Sequence, residues 1–223
     1  MFLREKFREF YRISLHRQLL ENCLRENSAL VKGKVLEIGS KNRRYDYLFN
    51  SASGITAIDI NPEAGKDIIK ADAASLPFAA KSFDTVISFE VFEYIKDISI
   101  VLKEIARVLN NDGTLIFSVP LLNPVHGDID IVRYTLKGWE ELLEEQFNIS
   151  VIRIIGGRHS LIWDVYFEKV RNYYGTARKV LLYPWLAFTK KIALISDNRK
   201  KSNRFPMGYF FVCRNKYGVI DVQ

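Results

Sequence analysis

Across residues 2–30, apolar side chains fall at Phe7, Phe10, Tyr11, Leu15, Leu19 and Leu20, with charged residues between them. Spacing of three and four places them on one helical face and predicts one or two amphipathic helices. The pattern then changes. Val35, Leu36 and Ile38 form a short apolar run that stops at Gly39 and reads as a first strand. GITAIDI (54–60) reads as a second, stopped by Asn61-Pro62, and DIIKAD (67–72) as a third. SFDTVISFE (82–90) is the near-continuous apolar run expected of a strand covered on both faces. Helical spacing returns at Ile98, Val101, Leu102, Ile105 and Leu109, and Asn110-Asn111-Asp112-Gly113 is expected to close that helix. A fifth strand follows at 114–120 (TLIFSVP), then a helix marked by Trp139, Leu142 and Leu143, then a strand at Ile149–Ile155. Residues 161–195 are rich in aromatics and show no clear period, whereas MGYFFVCRN (207–215) reads as a last strand.

Strands alternating with helices predict an α/β fold, a doubly wound, mostly parallel seven-stranded sheet. N-terminal helices precede it, and a helical, aromatic and basic insertion precedes the last strand. The expected organisation is an N-terminal helical segment (1–30), a core (31–160), a helical insertion or lid (161–205), and a last core strand with a tail (206–223). In such sheets ligands bind outside the carboxyl ends of the strands, where strand order reverses. The candidate chemistry does follow the strands.

After the first strand comes Glu37-Ile38-Gly39-Ser40-Lys41-Asn42. A glycine there lets backbone approach a ligand, and the following amides can receive a carboxylate. Asp59 stands at the end of the second strand, where a carboxylate suits the two hydroxyls of a ribose. Asp72-Ala73-Ala74, after the third, is placed to meet an exocyclic amine and a ring nitrogen, with Leu76-Pro77-Phe78 as apolar cover. Each piece alone also serves as a helix cap or turn; their order along successive strands is what carries weight.

From Val35 to about Phe147, the motifs VLEIGS, AIDI, ADAASLPF with SFDTVIS, and EIARVLNNDGTLIFSVP resemble the Rossmann-like core of class I S-adenosylmethionine-dependent methyltransferases, type 11-like. The resemblance implies S-adenosylmethionine as cofactor. Glu37, Gly39 and Ser40 would line its methionine end, Asp59 its ribose, and Asp72 with Ala73 its adenine, with Ile60 and Phe89 completing the set. One departure stands out. The family pattern reads E/D-x-G-x-G-x-G, but Gly39 is followed by Ser40, Lys41, Asn42 and Arg43. A Lys or Arg there offers another way to meet the donor's carboxylate. The missing glycines also weaken a nicotinamide-dehydrogenase reading.

On the acceptor side, the fourth strand leads into Glu90-Val91-Phe92-Glu93-Tyr94-Ile95, with Tyr94 where many relatives carry histidine. Tyr94 is either a packing residue or a second candidate for catalysis. The segment after the fifth strand, VPLLNPVHGDIDIVRYT (119–135), holds His126, Asp128, Asp130, Arg133 and Tyr134. His126, one of three histidines, is the first candidate for a base near neutral pH; it is equally a structural cap. Asp128, Asp130, Arg133 and Tyr134 are candidate substrate contacts, although Arg133 has the alternative of pairing with Asp130 to fix the loop. The segment resembles the H-G-D-P-x-D-x-x-R-x-T pattern of methyltransferase-like proteins associated with polysaccharide or cell-envelope gene clusters. That implies methyl transfer to an oxygen or nitrogen of a small-molecule, sugar or lipid-linked acceptor. The alternatives are a non-catalytic binding or assembly protein on the same fold, and an RNA methyltransferase.

Composition narrows the setting. The 223 residues are 48% hydrophobic and 26% charged, a globular balance. Two cysteines without CxxC spacing argue against a zinc site or a disulfide scaffold, and no metal-ligand set is read. Charges interrupt the N-terminus too often for a signal peptide or a membrane span, so a cytoplasmic location is expected. The net charge of +7 is unevenly placed: from Val165 onward, twelve Lys/Arg face three Asp/Glu. That region interleaves Tyr166, Phe167, Tyr173, Tyr174, Tyr183, Trp185 and Phe188 with Arg178, Lys179, Lys190, Lys191 and Arg199-Lys200-Lys201. An interfacial helix at the inner face of a membrane and a lid helix on its own domain fit this mixture equally. Base stacking on nucleic acid fits it less well.

Overall fold

The computed structural model describes residues 2–125, 129–200 and 204–216. The N-terminal periodicity resolves into two helices, α1 (Phe2–Arg12) and α2 (Leu15–Asn27). Seven strands follow: β1 (Gly33–Ile38), β2 (Ala52–Asp59), β3 (Ile69–Lys70), β4 (Phe83–Phe89), β5 (Leu109–Pro120), β6 (Phe147–Ile155) and β7 (Gly208–Asn215). Helix α3 (Ile98–Val108) joins β4 to β5, and α4 (Leu136–Leu143) lies between β5 and β6. Two long helices, α5 (Arg158–Tyr173) and α6 (Thr176–Lys200), occupy the stretch whose sequence had no clear period.

The strands form one sheet in the order β3-β2-β1-β4-β5-β7-β6. Pairs β1/β2, β2/β3, β1/β4 and β4/β5 are all parallel. The chain walks outward from β1 to β3, then returns to the far side of β1 for β4 and β5. The reversal lies between β1 and β4, so their carboxyl ends open the crevice in which such sheets hold ligands. Val35–Ile38 of β1 and all of β4 except Asp84 are buried, as strands covered on both faces require.

Two boundaries differ from those the sequence predicts. β3 is only two residues long, shorter than 67–72, and Ile69 is exposed; a short edge strand gives little template for unwanted pairing. β5 begins at Leu109, so it takes in the 110–113 segment where the sequence predicts a turn. Phe83 pairs with Leu109 and Thr85 with Thr114, so residues 110–113 form a bulge within the strand. Asn110 Nδ2 donates to Asp84 Oδ1 at 2.7 Å, and Asn215 Nδ2 donates to the carbonyl of Ala106 at 3.0 Å. These side chains hold the bulge where a free turn would otherwise form.

The chain divides into two compact units. One is Cys23–Leu121, Val125–Arg153 and Tyr209–Gln223; the other is Met1–Asn22, Leu122–Pro124 and Ile154–Gly208. The first contains most of the sheet. Phe92, Phe117, Trp139 and Phe211 pack together in it, with Phe117 and Phe211 stacked at 4.7 Å. The second joins α1 to α5 and α6 around Leu15, Trp163, Phe167, Val170, Leu186 and Ala193, flanked by Phe10 and Tyr11. Asp164 is buried there and accepts from the amides of Leu15 (2.7 Å) and His16 (3.1 Å), capping the start of α2.

Candidate functional site

The loop after β1 is built around Gly39 at φ +74°, a conformation that side chains with a Cβ rarely adopt. A Cβ there would lie 2.3 Å from Val91 Cγ2, so the glycine also lets the β1 and β4 loops approach closely. Of the amides expected to receive a carboxylate, those of Gly39 and Ser40 already donate to Ile58 O (2.9 and 3.1 Å), and that of Arg43 to Ser40 Oγ (3.2 Å). Arg43 is likewise committed. Its guanidinium donates to Asp46 (2.6 Å) and to the carbonyls of Asp67 (3.0 Å) and Ile55 (3.4 Å). It props the loop from behind. Lys41 and Arg44, both exposed, are the basic residues of the loop left to meet an anionic group.

Glu37 is buried, and its Oε2 accepts from the Ser40 hydroxyl. Burial pushes its carboxyl up to about 7; the Ser40 bond and Arg43 oppose the shift, and the Asp46 carboxylate adds to it. A carboxyl poised there gains negative charge when a cation arrives beside it.

Asp59 ends β2, and Asp72 lies two residues beyond β3, the parallel neighbour of β2. The two are therefore on adjacent strand tips, tied by the bond from Ala71 N to Asp59 O (3.1 Å). Each carboxylate is tethered in the same way: Asp59 Oδ1 accepts from Asn61 N (2.7 Å) and Asp72 Oδ1 from Ala74 N (2.9 Å). The remaining oxygen of each has no protein partner among the described residues. Ile60 is 62% exposed beside Asp59, and Ala73 is half-buried beside Asp72. Phe89 is different. Its ring packs edge-on to Tyr45 and near Phe49, so its side chain belongs to the packing under the loop.

Beyond β4 the chain turns sharply, with Glu90 at φ +57°. Strained backbone of this kind collects at functional sites. Ser118 Oγ donates to Glu90 Oε1 at 2.8 Å. The loop after β5 is pinned to this turn, because the amides of Ile131 (2.8 Å) and Val132 (3.2 Å) both donate to Glu93 O. Arg133 donates through Nε to Asp130 Oδ1 (2.9 Å), through a terminal nitrogen to Asp130 Oδ2, and through the other to Leu121 O (3.2 Å). Of the two roles open to it, this is loop fixing. The Asp130 carboxylate is buried in that pair, and Tyr134 packs edge-on against Trp139. His126 and Asp128 lie outside the described residues.

Sequence reasoning missed Glu93. It is 2% exposed, and neither carboxylate oxygen has a hydrogen-bond partner among the described residues. Burial, reinforced by the charge of Glu90, pushes it up to about 8, so it is mostly protonated at neutral pH. Tyr94 beside it is pushed up to about 12, first by burial and then by Glu93 and Asp130. A phenol held that high keeps its proton and acts as a hydrogen-bond donor, a poor general base. The other two histidines are accounted for elsewhere: His16 is buried, and His159 Nδ1 lies 2.9 Å from Asp197.

A family model described as a methyltransferase domain matches residues 36–117. An uncharacterised protein of Methanocaldococcus jannaschii, MJ1252, is 33% identical over 112 residues, which is 47% of this chain and 42% of that protein. The chain thus spans less than half the length of that relative. Among solved structures, the fold is similar to the (4+2)-cyclase SpnF (TM-score 0.56, 17% identity, 89% of this chain and 80% of that one). It is also similar to an S-adenosylmethionine-dependent methyltransferase of Mesorhizobium loti (TM-score 0.53, 15% identity, 82% and 92%). YcgJ of Bacillus subtilis is a third such structure (TM-score 0.55, 13% identity, 90% and 98%). At these identities the likeness is one of fold. Residues 36–117 are thus similar to a methyltransferase domain, and the solved structures share its fold.

Proposed function

We propose that the chain transfers a methyl group from S-adenosylmethionine to an oxygen, or less readily a nitrogen, of a sugar-containing or lipid-linked acceptor. The observation that carries the donor half is the pair of tethered carboxylates, Asp59 and Asp72, on adjacent parallel strand tips, each with one oxygen left for a ligand. Asp59 would accept from the ribose hydroxyls and Asp72 from the adenine amine, with Ile60 against the ring. Glu37, Ser40 and Lys41 stand at the amino-acid end, where Glu37 matches the ammonium and Lys41 the carboxylate. The donor brings its leaving group on positive sulfur. The protein is left to align the acceptor and remove one proton.

His126 is the candidate base. Tyr94, whose pKa burial raises, fits that role less well and suits a donor that would orient the acceptor. Arg133 and Asp130 set the shape of the loop that carries the acceptor. The choice of a glycan or lipid-linked acceptor rests on the resemblance of the segment around His126.

Titration calorimetry tests the reading. The intact protein should bind S-adenosylmethionine and S-adenosylhomocysteine, and Asp59→Ala and Asp72→Ala should each weaken binding about tenfold or more. His126→Ala should lower turnover far more than donor affinity. A second reading, a fold kept for binding or another reaction, is favoured by the loss of two glycines from the β1 loop. Failure of the intact protein to bind either nucleoside at millimolar concentration would establish that reading in place of ours.

A further inference from the structure

Helix α6 is apolar on two opposite faces. One face carries Leu186 and Ala193 into the core of its unit. The other carries Leu181, Trp185, Phe188, Ile192 and Ile195, which are 79, 51, 64, 48 and 42% exposed. They recur every three or four residues, so they form one stripe along the outer side of the helix. The outer side of α5 continues it, with Ile162 and Val165 exposed and Tyr166 set edge-on to Trp185 at 5.5 Å. The two strips meet there.

Charge around this surface is mainly cationic. At 100° per residue, Arg178 lies along one margin of the α6 stripe and Lys191 along the other, both exposed, and exposed Lys169 stands on α5. Two of the three acidic residues of the two helices are taken up by backbone amides, and Glu168 meets only a neutral side chain. Asp164 is buried under α2, Asp197 accepts from His159 and Ser160, and Glu168 accepts from Asn172.

We propose that the outer face of α5 and α6 is a docking surface for an anionic lipid bilayer. Cationic margins complement lipid phosphates, and the stripe between them enters the boundary between headgroups and acyl chains. A second copy of the chain is the poorer occupant. An isologous contact would set this mainly cationic margin against itself. RNA is poorer too, because Trp185, Phe188 and Tyr166 alone among the surface's apolar residues offer rings for base stacking, and Leu181, Ile192, Ile195, Ile162 and Val165 between them offer none. The helices would lie on the surface; among the described residues no helix is long and apolar enough to cross.

The test is co-sedimentation of the full chain with vesicles of phosphatidylcholine mixed with phosphatidylglycerol, and of phosphatidylcholine alone. The protein should prefer the mixed vesicles, and added salt should weaken that preference. The double variants W185S/F188S and R178E/K191E should each lose about tenfold or more of the binding. Fluorescence of the unaltered protein gives a reading independent of variant folding. Trp139 and Trp163 are already buried, so a blue shift on adding mixed vesicles reports Trp185. No shift, equal binding to both vesicle types, or a self-association that mixed vesicles fail to compete away would overturn the proposal.

Discussion

Gly39 and Glu93 show how single residues near the β1 and β4 tips differ in what they tolerate. Gly39 needs positive φ and has Val91 against the place a Cβ would occupy. Gly39→Ala should therefore both strain the turn and push the two loops apart. We expect a loss of about 1–3 kcal/mol in stability and a larger loss in donor affinity, read by thermal melts with and without S-adenosylhomocysteine. An unchanged melt would refute the close approach. Position and residue type made Gly39, Asp59 and Asp72 legible in the sequence, because each follows a strand that its apolar run announces. Glu93 was not legible. A glutamate at a helix entry normally faces water, and only the folding of the 129–133 loop over the Phe92–Tyr94 turn reveals its burial. Arg133 was half legible: its spacing from Asp130 allowed the pair but could not say whether the guanidinium kept a free edge.

The N-terminal ends of α2 and α5 are each held by one carboxylate from another helix. Asp164 takes the amides of Leu15 and His16, and Asp197 takes those of His159 and Ser160. Both donors at each end would otherwise be orphaned. Asp164→Ala should cost about 1–2 kcal/mol, lowering the melting temperature by a few degrees, whereas Asp164→Asn should recover part of it through its one accepting oxygen. Equal melting of Asp164→Ala and the unaltered chain would discard the cap. Strands β1, β4, β5 and β7 were readable at this scale because burial on both faces leaves a plain apolar signature. The insertion before the last strand was legible as helical, but the bounds and faces of α5 and α6 were not. A helix with apolar residues on opposite sides has no single stripe, so its 3.6-residue period disappears. The bulge at 110–113 escaped for another reason. Asn-Asn-Asp-Gly has turn chemistry, and what makes it a bulge is Asp84 and Asn215, which are distant in sequence.

At the scale of the molecule, two buried carboxyl groups set the response to pH. Glu37 and Glu93 are raised to about 7 and about 8 from an ordinary 4.5. Below 4.5 both are protonated in either state of the chain, and their effect is nil. Between there and their folded values, the unfolded chain loses these protons first, so stability falls as pH rises and levels off above about 8. Glu93→Gln should flatten that fall, adding on the order of 2 kcal/mol at roughly pH 8 and little at roughly pH 5. Denaturant titrations at the two pH values check it; a parallel offset at both would show that Glu93 is charged in the folded chain.

The short tethers on Asp59 and Asp72 have one more consequence. A flexible carboxylate must surrender its rotational freedom when a nucleoside arrives, but these two have surrendered it during folding, each through an amide two residues along. Capture of the adenosine should then be dominated by heat released. Replacing Asn61 or Ala74 with proline, which deletes the anchoring N–H, should leave the carboxylates present yet make the entropy of association less favourable.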